Sequence, residues 1–198
     1  MPSHHLIIGG QRSGKSRQAE RMAMGWLQQS PQHRVMVVAT ALACDDEMRS
    51  RIERHRAERP HGFDTVESAH ALGEVLRAHA APDRLLIVDC LTLWLTNVLM
   101  PSSVSSEASR GVSADGRGVR HDWPALRSDL LVALSDLVSP VLLVSNEIGW
   151  GVIPMGAGVR QFVDELGRLN QDVAQCCGHI TLMAAGQPWT QLVQRWAP

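Results

Sequence analysis

Short apolar runs spaced by helix-length amphipathic stretches set the rhythm of this chain. Leu6–Ile8, Val35–Ala39, Leu85–Val88, Val141–Val144 and Ile180–Met183 are brief and uniformly apolar, as strands buried on both faces of a parallel sheet are. Phe63–Glu67 predicts one further short strand. After the first run, Ala19, Met22, Ala23, Trp26 and Leu27 recur at i, i+3, i+4, i+7 and i+8, which puts one apolar stripe on a helix. Asp45 is a suitable N-cap, with Asp46 and Glu47 in the first turn and Pro60 as the stop, so residues 45–60 predict another helix. Strands alternating with helices predict an α/β fold, a three-layer domain with a mostly parallel central sheet and helices on both faces. Residues 101–121 are small, polar and aperiodic. They read as a flexible insertion within one nucleotide-binding and catalytic domain spanning 1–198, not as a boundary.

Composition sharpens this at one position. Of 19 Lys and Arg residues, only Lys15 is lysine. It sits in Gly9-Gly10-Gln11-Arg12-Ser13-Gly14-Lys15-Ser16, which fits the phosphate-binding loop pattern G-x-x-x-x-G-K-[ST]. That loop needs a compact ammonium on a flexible stem; a forked, planar guanidinium does not replace it. A strand before the glycines and a helix after them would aim helix-terminal N–H groups at an anion. Lys15 would then bridge the terminal phosphates and Ser16 would ligate Mg²⁺, making the chain a P-loop nucleotide-triphosphate protein.

Net charge is −1, so no global basic field invites nucleic acid. No run approaches the ~18 apolar residues of a membrane span. The glycine loop follows the first strand at once, leaving no room for a signal peptide. Cys44, Cys90, Cys176 and Cys177 lack zinc-like spacing, and two are adjacent. A reduced, cytoplasmic protein is the simplest expectation.

The 45–60 segment holds five arginines between 49 and 59 against two glutamates, with Arg51, His55 and Arg59 at i, i+4 and i+8. Two readings stand side by side. One is a solvated charged helix with His55 tucked beside Met48 and Ile52. The other is a histidine among guanidinium groups, which disfavour imidazolium and offset charge on an attacked phosphoryl group. Two acids close apolar runs. Asp89 is either the acid that orients Mg²⁺ in a P-loop enzyme or a strand-end cap. Asn146-Glu147 ends the fourth strong run, on the carboxyl edge where α/β proteins bind ligands. There Glu147 is either a base toward a substrate hydroxyl or a loop stabiliser.

Together these segments resemble the bifunctional adenosylcobinamide kinase/adenosylcobinamide-phosphate guanylyltransferase family. The resemblance rests on Gly9–Ser16, Ala39-Thr40 and Asp45-x-Glu47-Met48-x-x-Arg51-Ile52-x-x-His55-Arg56-x-x-Arg59-Pro60. It continues through Val88-Asp89-Cys90-Leu91-Thr92, Thr96-Asn97 and Ser145-Asn146-Glu147-Ile148-Gly149-x-Gly151-x-x-Pro154. Arg160-x-Phe162-x-Asp164 and Gly167-Arg168-x-Asn170-Gln171 complete it. It implies phosphorylation of adenosylcobinamide by ATP or GTP, then transfer of GMP from GTP onto the new phosphate through a covalent GMP–histidine at His55. It places Ala39, Thr40, Ala41, Arg56, Ala57, Glu58, Arg59 and Glu67 along the nucleotide, with Ser16 and Asp89 on Mg²⁺. Asp89 departs from a position where many members carry glutamate; the shorter carboxylate would keep the role. Asn146 and Glu147 fall on the side of a large corrinoid substrate. A homo-oligomer is implied as well. Two rivals are a plain P-loop kinase of a small metabolite and a nucleotide-sensing module without turnover, and both leave the 45–60 pattern unexplained.

Overall fold

Period-two alternation decides which side of the sheet each apolar residue serves. In the 85–88 run, Leu86 and Val88 join one buried cluster while Leu85 and Ile87 join a second on the opposite face. The 141–144 run divides the same way, Val141 and Leu143 against Leu142 and Val144. An apolar run of this kind needs cover on both faces, and the chain supplies it.

The protein is seen in a computed structural model that describes residues 4–42, 62–100 and 122–193. The elements run β1 (His5–Gly9), α1 (Lys15–Gln29), β2 (Arg34–Ala39), β3 (Phe63–Glu67), α2 (Leu72–His79) and β4 (Arg84–Asp89). Then come α3 (Leu91–Leu99), α4 (Trp123–Asp136), β5 (Val141–Val144), α5 (Ala157–Cys176), β6 (His179–Ala184) and β7 (Gln187–Leu192). One seven-stranded sheet has the order β3-β2-β4-β5-β1-β6-β7. Every pairing is parallel except β6 with β7. The three-layer, mostly parallel α/β architecture expected from the apolar runs is the one observed. The 45–60 helix and the 101–121 insertion lie outside the described residues.

The helical layers are unequal. Leu72 and Leu76 of α2, Trp94 and Leu95 of α3, Leu130 and Leu134 of α4, and Leu166, Leu169 and Val173 of α5 share the larger cluster. The second face is covered by α1 through Ala19 and Ala23, with Met22, Trp26 and Leu27 packed beside them. These are the five positions of the stripe in the sequence.

β7 is the element the pattern does not announce. All six of its residues are exposed, so neither an apolar run nor an alternation marks it. Its Pro188 argues against a central strand and is tolerated because β7 is an edge. The hairpin closes through Ala185 (φ 49°) and Gly186 (φ 76°), with Ala184 paired to Gln187. Two consecutive positive-φ residues are what a two-residue turn needs to match strand twist.

Two histidines at the start of β1 serve the fold. His4 donates from Nε2 to the Leu134 carbonyl (2.7 Å) and accepts the Val141 N–H at Nδ1 (3.2 Å). Burial lowers its pKa against the opposing pull of the Leu134 bond. His5 bonds Thr181 Oγ1 (2.7 Å) and stacks on His179. Burial, then the His179 charge, bring it from 6.5 to about 4. Both folded-state values lie below the unfolded one. The stability they represent is therefore complete above the unfolded value and lost as acid protonates the rings. Tm should hold steady above pH 6.5 and fall as pH drops from there to about 4, with a shallower fall in His5→Gln. A calorimetric pH series checks this.

Candidate active site

The loop between β1 and α1 is shaped by contacts that only glycine permits. A Cβ on Gly9 would stand 2.4 Å from the Met183 carbonyl oxygen and 2.8 Å from Ser13 Oγ, so β1 and β6 approach here too closely for any side chain. Gly14, just before α1, has φ 98°, and Arg12 also sits at positive φ (56°). The Ser13 N–H donates to the Gly10 carbonyl (3.3 Å), and the Gly186 N–H donates to the Ser13 carbonyl (3.1 Å). The β6–β7 turn thus buttresses the loop, a support that the sequence reading did not identify.

No side chain caps the N-terminus of α1, and its first turn holds no acid. Its leading amides and positive dipole end suit an anion. Lys15 is buried, with Nζ donating to the Gly10 carbonyl at 2.7 Å. The ammonium lies folded along the loop that would cradle phosphate. The Ser16 hydroxyl donates to Asp89 Oδ1 at 3.3 Å, across 73 residues of sequence. The two positions expected to share a cation do meet.

Asp89 ends β4 opposite Ala39 of β2 and Val144 of β5. The connection after it is fixed by Thr40, which donates to the Cys90 carbonyl (2.7 Å) and accepts the Cys90 N–H (2.9 Å). Asn97 of α3 then donates to the Thr40 carbonyl (2.7 Å) and the Ala69 carbonyl (3.2 Å). Thr40 was expected along the nucleotide. Its side chain is fully buried, with the hydroxyl bonded to the Cys90 carbonyl and N–H next to Asp89. Ala39 and Ala41 on either side are partly open. Burial, reinforced by the Asp89 charge, pushes the Cys90 thiol up to about 11, which leaves it protonated and inert beside the acid.

On the other flank, the Ser145 N–H bonds the Ile7 carbonyl and the Glu147 N–H bonds the Gly9 carbonyl (3.1 Å), tying the end of β5 to the phosphate loop. The turn is clamped twice more. Thr92 Oγ1 accepts the Asn146 N–H at 2.8 Å, and Asn170 Nδ2 donates to the Asn146 carbonyl at 3.1 Å. Ser145 Oγ and Asn170 Oδ1 are buried without a hydrogen-bond partner among the described residues. Glu147 Oε1 accepts the Gly149 N–H at 3.1 Å. That contact lies within the residue's own loop and involves one of its two carboxylate oxygens. Thr92 closes the Val88–Thr92 motif, three residues beyond Asp89, and its bond to the Asn146 N–H is what the motif did not show.

Glu67 ends β3 in register with Ala39, two strands from Asp89. Along the carboxyl edge the order is therefore Glu67, Ala39–Thr40, Asp89, Ser145–Glu147, then Gly9–Ser16. All the described candidates share one edge, where open parallel sheets bind ligands. His55, Arg56, Ala57, Glu58 and Arg59 lie outside the described residues.

The model of the family "Cobinamide kinase / cobinamide phosphate guanyltransferase" matches residues 5–191. The chain is 42% identical over 186 residues to the bifunctional adenosylcobalamin biosynthesis protein CobP of Pseudomonas aeruginosa, covering 92% of this chain and 94% of that one. It is 33% identical over 181 residues to the CobU protein of the same description from Escherichia coli, covering 91% and 95%. Among solved structures, the flagellar accessory protein FlaH of Methanocaldococcus jannaschii is similar at TM-score 0.48 and 12% identity, over 97% of this chain and 78% of that one. The family match takes in β1 to β6, all but the last residue of β7, the phosphate loop and the Asn146–Glu147 turn: the chain belongs to the cobinamide kinase/cobinamide phosphate guanyltransferase family.

Proposed function

We propose that this cobalamin-biosynthesis enzyme carries out two successive transfers on one corrinoid. It phosphorylates the aminopropanol hydroxyl of adenosylcobinamide from ATP or GTP. It then moves GMP from GTP onto that phosphate, giving adenosylcobinamide-GDP and pyrophosphate. The observation that carries this reading is the Ser16–Asp89 contact beneath an uncapped helix N-terminus, in a chain matched to that family from residue 5 to 191. On this reading the partners are nucleotides and a corrinoid rather than nucleic acid, and the acting species is a homo-oligomer.

The residues present fit Mg²⁺. Ser16 and Asp89 offer hard oxygen donors 3.3 Å apart. No group of three or more His, Cys, Asp or Glu converges among the described residues. Mg²⁺ prefers this sparse protein ligation, completed by water and phosphate oxygens. When bound, it neutralises charge on the β- and γ-phosphates. The chain's own share of the kinase step is positional. The α1 amides and the loop backbone hold the triphosphate, and Lys15 swings from the Gly10 carbonyl to the transferring phosphoryl group.

For guanylyl transfer, an imidazole nitrogen of His55 attacks the α-phosphorus of GTP and the bond to the bridging oxygen breaks, releasing pyrophosphate. A phosphate oxygen of the corrinoid then attacks the same phosphorus, and the N–P bond breaks to return the free histidine. Two displacements replace one awkward reaction between phosphates. Incubating purified protein with adenosylcobinamide, ATP, GTP and Mg²⁺ should yield the phosphate first, then the GDP adduct with matching pyrophosphate. Nucleotide binding without either product, followed by chromatography and a pyrophosphate assay, would favour the sensing module instead.

A further inference from the structure

The nine residues between Glu147 and α5 read Ile-Gly-Trp-Gly-Val-Ile-Pro-Met-Gly and carry no charge. Trp150, Val152, Ile153 and Met155 are 76%, 95%, 79% and 95% exposed. With Ile148 and Val159 they make six of the twelve exposed large apolar side chains among the described residues. Scattered exposed apolar residues need no explanation, but a concentration like this one marks a binding surface.

The segment is not slack. Glu147 Oε1 holds its first turn through the Gly149 N–H, and Arg160 Nη1 donates to the carbonyls of both Pro154 and Met155. The loop is thus fastened at both ends while its apolar side chains face outward. It is also tied to the phosphate site, since Glu147 bonds the Gly9 carbonyl. Trp150 is three residues further on, so its backbone lies within ~11 Å of Glu147 along the chain.

Resting on the function proposed above, we infer that the 148–155 loop is the docking surface for the corrin macrocycle of the acceptor. The acceptor's hydroxyl must reach the phosphate loop, but its ring is far larger than any nucleotide and must lie outside that loop. The ring presents methyl-bearing, largely apolar faces bordered by carboxamides. An uncharged, anchored apolar surface beginning next to Gly9 matches that chemistry, and Trp150 adds a flat face with an N–H donor at its edge.

The test uses full-length wild type, Trp150→Ser and Val152→Ser/Met155→Ser, with hydroxocobinamide binding measured by equilibrium dialysis alongside kinase kinetics. Corrinoid Kd and KM should rise about tenfold or more in each variant, because large apolar contacts are lost. The nucleotide KM and the native mass should stay at wild-type values. Unchanged corrinoid Kd and KM would overturn the inference and leave the proposed function standing. A variant that falls to a smaller native mass would also overturn it, assigning the loop to a contact between copies. Wild type that binds cobinamide without turning it over, with binding weakened in the variants, would sustain the docking surface and remove the kinase reading.

Discussion

Lys15→Ala should fold as wild type does and lose phosphoryl transfer to adenosylcobinamide by roughly 10²–10³-fold or more, the scale of removing one preorganised charge donor at a transition state. Two features of the structure support so large an effect with so small a structural cost. The ammonium donates to the Gly10 carbonyl within its own loop, and Lys15 belongs to neither apolar core, so the truncation leaves the packing of both cores in place. Lys15 is also the only lysine in the chain, and no neighbouring amine can take its place. Lys15→Arg should rescue little, because the loop backbone closes around a slim stem and Lys15 is already 92% buried (8% exposed). The measurement is kcat/KM for γ-phosphate transfer, with a thermal melt beside it to show that the variant is folded. Transfer within threefold of wild type would remove Lys15 from the chemistry. Running the same variant on preformed adenosylcobinamide phosphate and GTP reads whether this loop also serves the guanylyl half-reaction.

The strands were legible because burial on both faces leaves a distinct trace. Val141–Val144 is apolar at every position, and all four residues are buried. A half-exposed strand leaves a fainter one: β3 is only partly covered and shows as a lower, mixed run. β7 leaves none, since nothing buries it and its stability comes from ladder bonds to β6. The hairpin's two positive-φ residues are Ala185 and Gly186, and an alanine in that role advertises nothing. The sequence pattern reports on apolar burial, so an element held by hydrogen bonds, as β7 is through its ladder and the Thr181–Thr190 hydroxyl pair, escapes it.

The site was legible where the chemistry admits only one or two residue types. Lys15, Ser16 and Asp89 fall within that class, and the fold brings Ser16 to Asp89. What stayed hidden is the bonding of the scaffolding, although its residues fall within the motifs. Thr40, Asn97, Thr92 and Asn170 hold backbone carbonyls and amides of the site in place, and many residue types can make such bonds. The resemblance grouped Thr40 with the nucleotide, whereas its hydroxyl is spent on both sides of Cys90. Motif membership marks the neighbourhood, and the hydrogen bonds add what each buried side chain holds within it.

His55→Ala should separate the two activities. Kinase turnover should stay near wild type while guanylyl transfer falls by roughly 10³-fold or more, the scale lost when a covalent nucleophile is removed. Adenosylcobinamide phosphate would then accumulate with GTP present. Five arginines fall between 49 and 59 around His55 in the sequence, and guanidinium groups so placed would offset charge on the α-phosphate as pyrophosphate leaves. The adduct gives the sharper readout. Wild type treated with GTP labelled at the α-phosphate should hold the label through base and release it in acid, as a histidine phosphoramidate does. GTP labelled at the γ-phosphate should leave no such mark, because that phosphate departs with the pyrophosphate. In His55→Ala the α-label should vanish while Ser16 and Asp89 still support the kinase step. Label retained in that variant would move the nucleophile elsewhere, and no label on wild type would leave direct attack by the corrinoid phosphate as the surviving mechanism. Of the other described histidines, His4 and His5 are engaged in the fold and His33 is stacked on Trp26, so none of these three offers itself as the substitute.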